Sequence, residues 1–419
     1  MSARTGLVDR VAPPRLGRSF RWLLASSWSA NIGDGLVLAA GPLLVASQTD
    51  NAILVAMAAL LQRLPWLLFG LPAGAVADRI DRRLLVMGAD AARAATVGVL
   101  ALFVVTGHVS IGLVLVVMFS IGVAEVFADT TSSTLLPMLV APADLGLGNS
   151  RFQASSLLAA QLIGPPLGAF LFAVGPAWPF ATQAVCVAMG VVLISRIEIP
   201  PGGVREVTDT HIRRDIADGI RWLLSHAAVR TLALVIFAFN VTWGAAWSVL
   251  VLYALRYLQM GEVGYGLLTT ATAVGGIVGV SSYTWLERQI PLATLMRACL
   301  LLEVLTHLSL ALATHGWQAI IVMLVFGAYA YVWVTVSQTV RQRAVPTEFQ
   351  GRVSSVYMVG LFGGLLIGQA LGGWIAEVWG LTAPFWFAFV GSGLTLALVW
   401  GQLANIAHAG EVGAAPTEA

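Results

Sequence analysis

The sequence predicts an all-α membrane protein: twelve transmembrane helices in two pseudo-symmetric six-helix bundles, with both termini cytoplasmic. Three observations predict it. The 419 residues are 58% hydrophobic and only 11% charged, against roughly 25% charged in an ordinary soluble domain. Apolar runs of about 18 residues or more, the length that crosses a hydrocarbon core of about 30 Å, recur between charged or Gly/Pro-rich breaks. Two stretches of sequence also repeat half a chain apart. The 43 glycines and 17 prolines would weaken soluble helices, but membrane helices use both for close approach and for broken geometry.

The first six runs fall near 20–47, 53–77, 84–106, 110–137, 150–173 and 178–195. Six more follow near 230–257, 264–286, 292–313, 317–340, 352–376 and 383–406. This sets out a cytoplasmic tail over 1–19, an N-terminal bundle over 20–196, a linker over 197–229, a C-terminal bundle over 230–406 and a second tail over 407–419. The first run carries Asp34 and is too long for a signal peptide, so it is expected to be a retained span. Every one of the 23 basic side chains is Arg. Alternate loops hold Arg4, Arg10, Arg15 and Arg18, then Arg79, Arg82 and Arg83, then Arg151, Arg288, Arg341, Arg343 and Arg352, while the opposite side holds only Arg256. The positive-inside rule then places both termini and the central loop in the cytoplasm.

In the linker, Ile212, Ile216, Ile220, Leu223 and Leu224 recur at helical spacing opposite Arg213, Arg214, Asp215, Asp218 and Arg221, as in an amphipathic helix at a membrane interface. It is expected to tie the two halves together. Cys186 and Cys299 lie in separate apolar runs and suggest neither a disulfide nor a metal site.

The repeat is direct. Pro142–Phe170 overlays Pro346–Trp374 without a gap, matching Pro142 with Pro346, Ile163-Gly164 with Ile367-Gly368 and Leu167-Gly168 with Leu371-Gly372. A second overlay puts Arg21 on Arg230, Asn31 on Asn240, Gly35 on Gly244 and Asp78-Arg79 on Glu287-Arg288. Parallel repeats of this kind are the architecture of transporters that bind substrate near the midplane and rock one half against the other.

Gly74-Ala75-Val76-Ala77-Asp78-Arg79-Ile80-Asp81-Arg82-Arg83, between spans two and three, resembles the loop signature of the major facilitator superfamily, with Asp81 where that family has a second glycine. Gly164-Pro165-Pro166-Leu167-Gly168-Ala169 in span five is similar to the element of its drug and proton antiporters, whose last glycine is here Ala169. The opening FRWLLASSWSANIGDGL, the LPWLLFGLPAGAVADRIDRR run and DIADGIRWLL extend the resemblance over essentially the whole chain, to the bacterial subgroup of macrolide, tetracycline-type and enterobactin exporters. The resemblance implies a proton-driven efflux antiporter of the bacterial inner membrane, with Gly164, Pro165 and Gly168 as an antiporter-like hinge. Proton-coupled uptake on the same fold is the alternative, and a non-transporting membrane receptor or enzyme a distant third.

The loop also has a physical rationale. Asp78 at a helix end, with Arg79, Arg82 and Arg83, can form interactions that exist only while the cytoplasmic side is closed. Within the membrane, Asp34 and Arg63 lie at similar depth, about 21 Å from the cytoplasmic end of their spans at about 1.5 Å per residue, and Glu125 lies near 18 Å. Charges so placed are costly and usually mark a pathway. An acid beside a movable Arg can alternate between holding and releasing a proton, so Asp34, Arg63 and Glu125 are the expected coupling set. Asp90, Arg93 and Asp129, nearer the cytoplasm, are expected to join the gate.

The second half offers Asn240, Trp243 and Trp247 on one face of span seven and Tyr329 with Trp333 in span ten, an aromatic lining suited to a lipophilic ligand. Glu303 and His307, one turn apart in span nine, admit a proton relay, a metal pair or a structural pair; span nine is peripheral in the resembled family, which favours the last. No catalytic cluster points to an enzyme. No phosphate-binding loop occurs, so the proton gradient, with no cofactor, is expected to supply the energy. The expected partners are a small-molecule substrate, protons and the lipid bilayer, with no nucleic acid, and the chain is expected to act as a monomer.

Overall fold

The computed structural model describes residues 13–77, 79–141, 144–198, 220–345 and 349–407, and every regular element among them is helical. A helix stands at each of the apolar runs: α1 (Arg18–Gln48), α2 (Ala52–Ala77), α3 (Arg82–Val105), α4 (Ile111–Leu139), α5 (Leu145–Val174), α6 (Trp178–Ile194), α7 (Ala227–Ser248, continued to Tyr257), α8 (Gly261–Gln289), α9 (Leu292–Leu312), α10 (Gly316–Ala344), α11 (Gln350–Trp379) and α12 (Ala383–Val399). Ten of them are long and apolar enough to cross a membrane, while α6 and α12 are equally apolar but have 17 residues each. Of the linker helix expected over 211–226, only its end lies within the described residues, and Ile220–Ser225 is helical there.

Local chemistry sets the helix ends. Asp81, which departs from the family's glycine, caps α3: its Oδ1 accepts from the backbone N–H of Arg83 at 2.9 Å and of Leu84 at 3.1 Å, satisfying two donors that a helix start leaves free. Ser110 does the same for α4 through Leu113. At α10 the Gln318 side chain accepts from the backbone of Thr314 and His315. Pro165 and Pro166 withhold two N–H groups from α5, and the stretch before them, Ser156–Ile163, widens to π geometry, as expected where a proline disturbs the hydrogen-bond ladder.

Contacts divide the chain into two compact units, Met1–Thr49 with Leu61–Thr208 and Asp50–Leu60 with Asp209–Ala419. The sequence reading places 50–60 in the N-terminal bundle, whereas the structure groups this segment with the second unit. Glu377 of α11 is the reason. Its carboxylate accepts from the Ala52 N–H at 2.8 Å and from Asn51 Nδ2 at 3.3 Å, capping the start of α2, and Gly373 lies against Ala52 and Ala56. Arg256 pairs with Asp50 at 2.6 Å on an exposed surface.

Within the first unit α1 packs along α5 and α6, and Phe20, Leu23 and Leu24 meet Val86, Leu135, Leu136 and Ile194 in one core. Gly35 and Gly164 meet backbone to backbone, and a Cβ at Gly168 would collide with the Leu36 carbonyl. The second unit repeats the arrangement: Gly244 meets Leu365 and Gly368, and a Cβ at Gly372 would collide with Ala245. The sequence repeat is therefore a repeat of packing, glycine against helix, in each unit separately. Among the described residues Cys186 and Cys299 are free, Cys299 buried and Cys186 half-buried.

Candidate functional site

The first unit holds a set of charges on three adjacent helices. Asp34 of α1 is bridged by Arg93 of α3, whose Nη1 lies 3.1 Å from Asp34 Oδ1 and 3.3 Å from Oδ2. The same guanidinium reaches Asp90 Oδ1 through Nη2 at 3.0 Å. Gln183 of α6 donates from Nε2 to Asp34 Oδ1 at 3.3 Å. Arg93, Asp90 and Gln183 are buried, while the Asp34 side chain keeps 24% of its surface accessible. A fork-shaped guanidinium suits this task because it can serve two carboxylates at once from a fixed plane.

The pairing differs from the expected one. Arg93, not Arg63, is the partner of Asp34, and Asp90 and Arg93 sit with the Asp34 set rather than at the cytoplasmic loop. The depth separating them along the helices is closed by the long Arg93 side chain. Arg63 instead acts on Glu125, which also lies in the field of Arg93 and Asp34, and Asp129 one turn later lies in the field of Glu125, Arg93, Asp34 and Asp90. Glu125 is half-buried and Asp129 exposed. Gln183 was missed in the sequence reading; a single amide in an otherwise apolar span, free of a capping role, was the available signal.

At the loop, Asp78 and the side chain of Arg352 lie outside the described residues. Arg79 is exposed. Arg82 reaches the Ala77 carbonyl at 3.4 Å and the Met138 sulfur at 3.0 Å, and Arg83 donates to the Ser195 carbonyl. Both arginines thus anchor the start of α3 to α2, α4 and the end of α6. In the second unit Glu287, the repeat-mate of Asp78, lies 3.6 Å from Arg343 at the end of α10.

The second unit carries the aromatic set. Trp243 and Trp247 stack with ring centroids 4.9 Å apart, Trp247 meets Phe326 at 5.0 Å, and Phe326 meets Tyr329 edge-on at 5.6 Å. Asn240, Trp243, Trp247 and Trp333 are half-buried. Tyr329 differs: it is 5% exposed and its hydroxyl donates to Glu303 Oε2 at 2.8 Å, so it belongs to the core behind the tryptophans and not to an accessible lining. Asn240 turns its amide N–H onto the Ile236 carbonyl at 2.8 Å, and its repeat-mate Asn31 does the same onto Ser27 at 2.7 Å.

Membrane-crossing helices in two repeated units, with buried ion pairs in one and an aromatic face in the other, define a transporter of the major facilitator class. Comparison with known proteins agrees. The chain belongs to the family described as transmembrane secretion effector, whose pattern matches residues 10–415; it is an exporter and not an enzyme. It is 29% identical over 390 residues to the multidrug efflux pump Tap of Mycolicibacterium fortuitum, covering 87% of this chain and 90% of that one. It is 23% identical over 237 residues to macrolide efflux protein A of Streptococcus pyogenes, covering 55% and 58% of the two chains. In fold it is similar to the nucleoside transporter NupG, with a TM-score of 0.71 at 10% identity over 93% of this chain and 99% of that one.

Proposed function

We propose that this protein exports lipophilic or amphipathic small molecules, drug-like compounds among them, in exchange for protons and by alternating access. In this reading it crosses the bacterial inner membrane twelve times as a monomer, with both termini cytoplasmic. The observation that carries the proposal is the charge balance of the first unit. Among the described residues, Asp34, Asp90, Glu125 and Asp129 face Arg63 and Arg93, four acids against two bases, at membrane depth where an uncompensated carboxylate is costly. Such a set is relieved by taking up a proton.

Asp34 is the group best placed to exchange it. It is partly accessible, whereas Arg93 and Asp90 are buried. Protonation of Asp34 would weaken its hold on Arg93, and the guanidinium would lean toward Asp90 and the α4 acids; deprotonation would draw it back. Glu125 is the reserve proton carrier. The half-buried Trp243 and Trp247 offer substrate a flat apolar surface, and the relatives named for efflux support outward transport. The ion pair of Glu287 with Arg343 supports a matching role for Asp78 as a cytoplasmic latch.

The test is a proteoliposome assay with an imposed pH gradient, following efflux of ethidium and proton movement together. Asp34→Asn is expected to stop gradient-driven transport while the purified protein still binds ethidium. Unchanged pH-driven transport by a well-folded Asp34→Asn protein would remove Asp34 from the coupling path.

A further inference from the structure

Behind the tryptophans of the second unit lies a buried polar group that export by the first unit's acids does not use. Glu303 sits in the middle of α9, one turn before His307, and the two are 8% and 1% exposed. His307 Nε2 lies 3.2 Å from Glu303 Oε1, within ion-pair distance, but neither Nε2 nor Nδ1 makes a hydrogen bond among the described residues. The Tyr329 hydroxyl lies 2.8 Å from Glu303 Oε2 and 2.9 Å from Thr306 Oγ1. Thr306 and Tyr329 are themselves buried.

A phenol carries one hydrogen and cannot donate to both neighbours at once. With Glu303 ionised, Tyr329 donates to the carboxylate and Thr306 donates to Tyr329. With the proton on Glu303 Oε2, the carboxyl donates to Tyr329, which turns its hydrogen to Thr306. The state of Glu303 is thereby written into the orientation of Tyr329, whose ring stands edge-on to Phe326, itself packed on Trp247. A pair kept only for packing would be expected to satisfy both imidazole nitrogens, because an unmade hydrogen bond on a buried polar atom is costly. Two unbonded nitrogens leave the ring able to take a second proton beside Glu303.

We propose that Glu303 and His307 form a proton-binding pair, separate from the Asp34 set, whose state is passed through Tyr329 and Phe326 to the tryptophan face. That this face meets substrate rests on the proposed export function; the proton site itself does not. The titratable neighbours are few. Tyr329 faces the pair from α10 and Cys299 from one turn earlier on α9. The helix α12 and the short helix Gln402–Ala407, both packed on α9, contain no titratable residue. In α8 the residues Glu262, Tyr265, Tyr283, Glu287 and Arg288 lie in its first and last two turns, away from the middle of α9.

Infrared difference spectra of the full chain in lipid nanodiscs, recorded between acid and neutral pH, test the pair without any transport step. A protonated carboxyl band is expected to disappear on raising the pH, to be missing from Glu303→Gln, and to be unchanged in Asp34→Asn. Tyr329→Phe, which keeps the ring and removes the donor, and His307→Gln are expected to displace the midpoint of that band. Tryptophan emission should follow the same midpoint in the wild type and lose that step in Glu303→Gln. Identical titrating bands in the wild type, Glu303→Gln and His307→Gln would overturn the proposal, and a band that titrates with no matching step in emission would overturn the link to the tryptophans. Normal gradient-driven efflux by Asp34→Asn would count against the export mechanism and leave this pair standing.

Discussion

Arg93 carries one positive charge and faces two carboxylates, so removing it leaves the buried Asp90 and the half-buried Asp34 without their shared base. Breaking a buried pair from one side costs on the order of 3 kcal/mol or more. Arg93→Ala is therefore expected to lower the melting temperature in detergent and to abolish efflux, while Arg93→Lys keeps a charge but cannot bridge Asp34 and Asp90 together. An Arg93→Ala protein that melts like the wild type would contradict this account of the site. The aromatic residues divide into two kinds. Trp243 and Trp247 are half-buried and stacked, so changing either to alanine is expected to reorder which compounds are exported more than to stop transport. Resistance profiles that stay identical in both variants would assign the substrate surface elsewhere.

Helix contacts in both units depend on glycines that admit a neighbouring backbone. Lipid offers no hydrophobic gain for bringing helices together, so small residues and close van der Waals contact must do it. Gly168 faces the Leu36 backbone, two residues from the Asp34 carboxylate, whereas nothing lies within 4 Å of a Cβ built on Gly88. Gly168→Leu is expected to force α5 off α1, lowering both thermal stability and transport. Gly88→Ala, in a helix interior with open space, is expected to stabilise α3 by about 0.5–1 kcal/mol without loss of efflux. Comparable melting and transport in the two variants would show that the α1–α5 contact is not close in the membrane. Gly164 and Gly168, expected at a hinge, lie in this contact, and Pro165 follows the π stretch Ser156–Ile163.

In the proposed alternating-access cycle the halves of the protein exchange states, and the loop between α2 and α3 is the place where a charge would bias that exchange. Asp78→Asn is expected to lower efflux several-fold with normal expression in cells, and a protonophore should abolish the remaining activity as it does in the wild type. Full efflux from well-expressed Asp78→Asn cells would leave the loop only its structural part, in which Arg82 and Arg83 hold α3 to its neighbours. The exposed pair of Arg256 and Asp50 is not expected to contribute measurably, since exposed ion pairs are worth about 0–1 kcal/mol.

The sequence by itself determined the helical class, the positions of the helices and the internal repeat. Each is a property of a local run: membrane spans need apolar length, and a repeat needs only matching residues at a fixed offset. It also singled out the ionisable residues of the first unit, because a charge inside an apolar run is conspicuous. Which acid meets which base was decided by the tertiary structure. Depth along a helix axis gave Arg63 to Asp34, but helix neighbours and a long, forked side chain gave Arg93 to both Asp34 and Asp90. The same reason separates Tyr329 from Trp243 and Trp247, since helical spacing shows that residues share a stripe and not whether a carboxylate from α9 lies behind it. The grouping of residues 50–60 with the second unit likewise follows from one distant side chain, Glu377, reaching two free donors at the start of α2, a contact between residues more than 300 positions apart that no local pattern encodes.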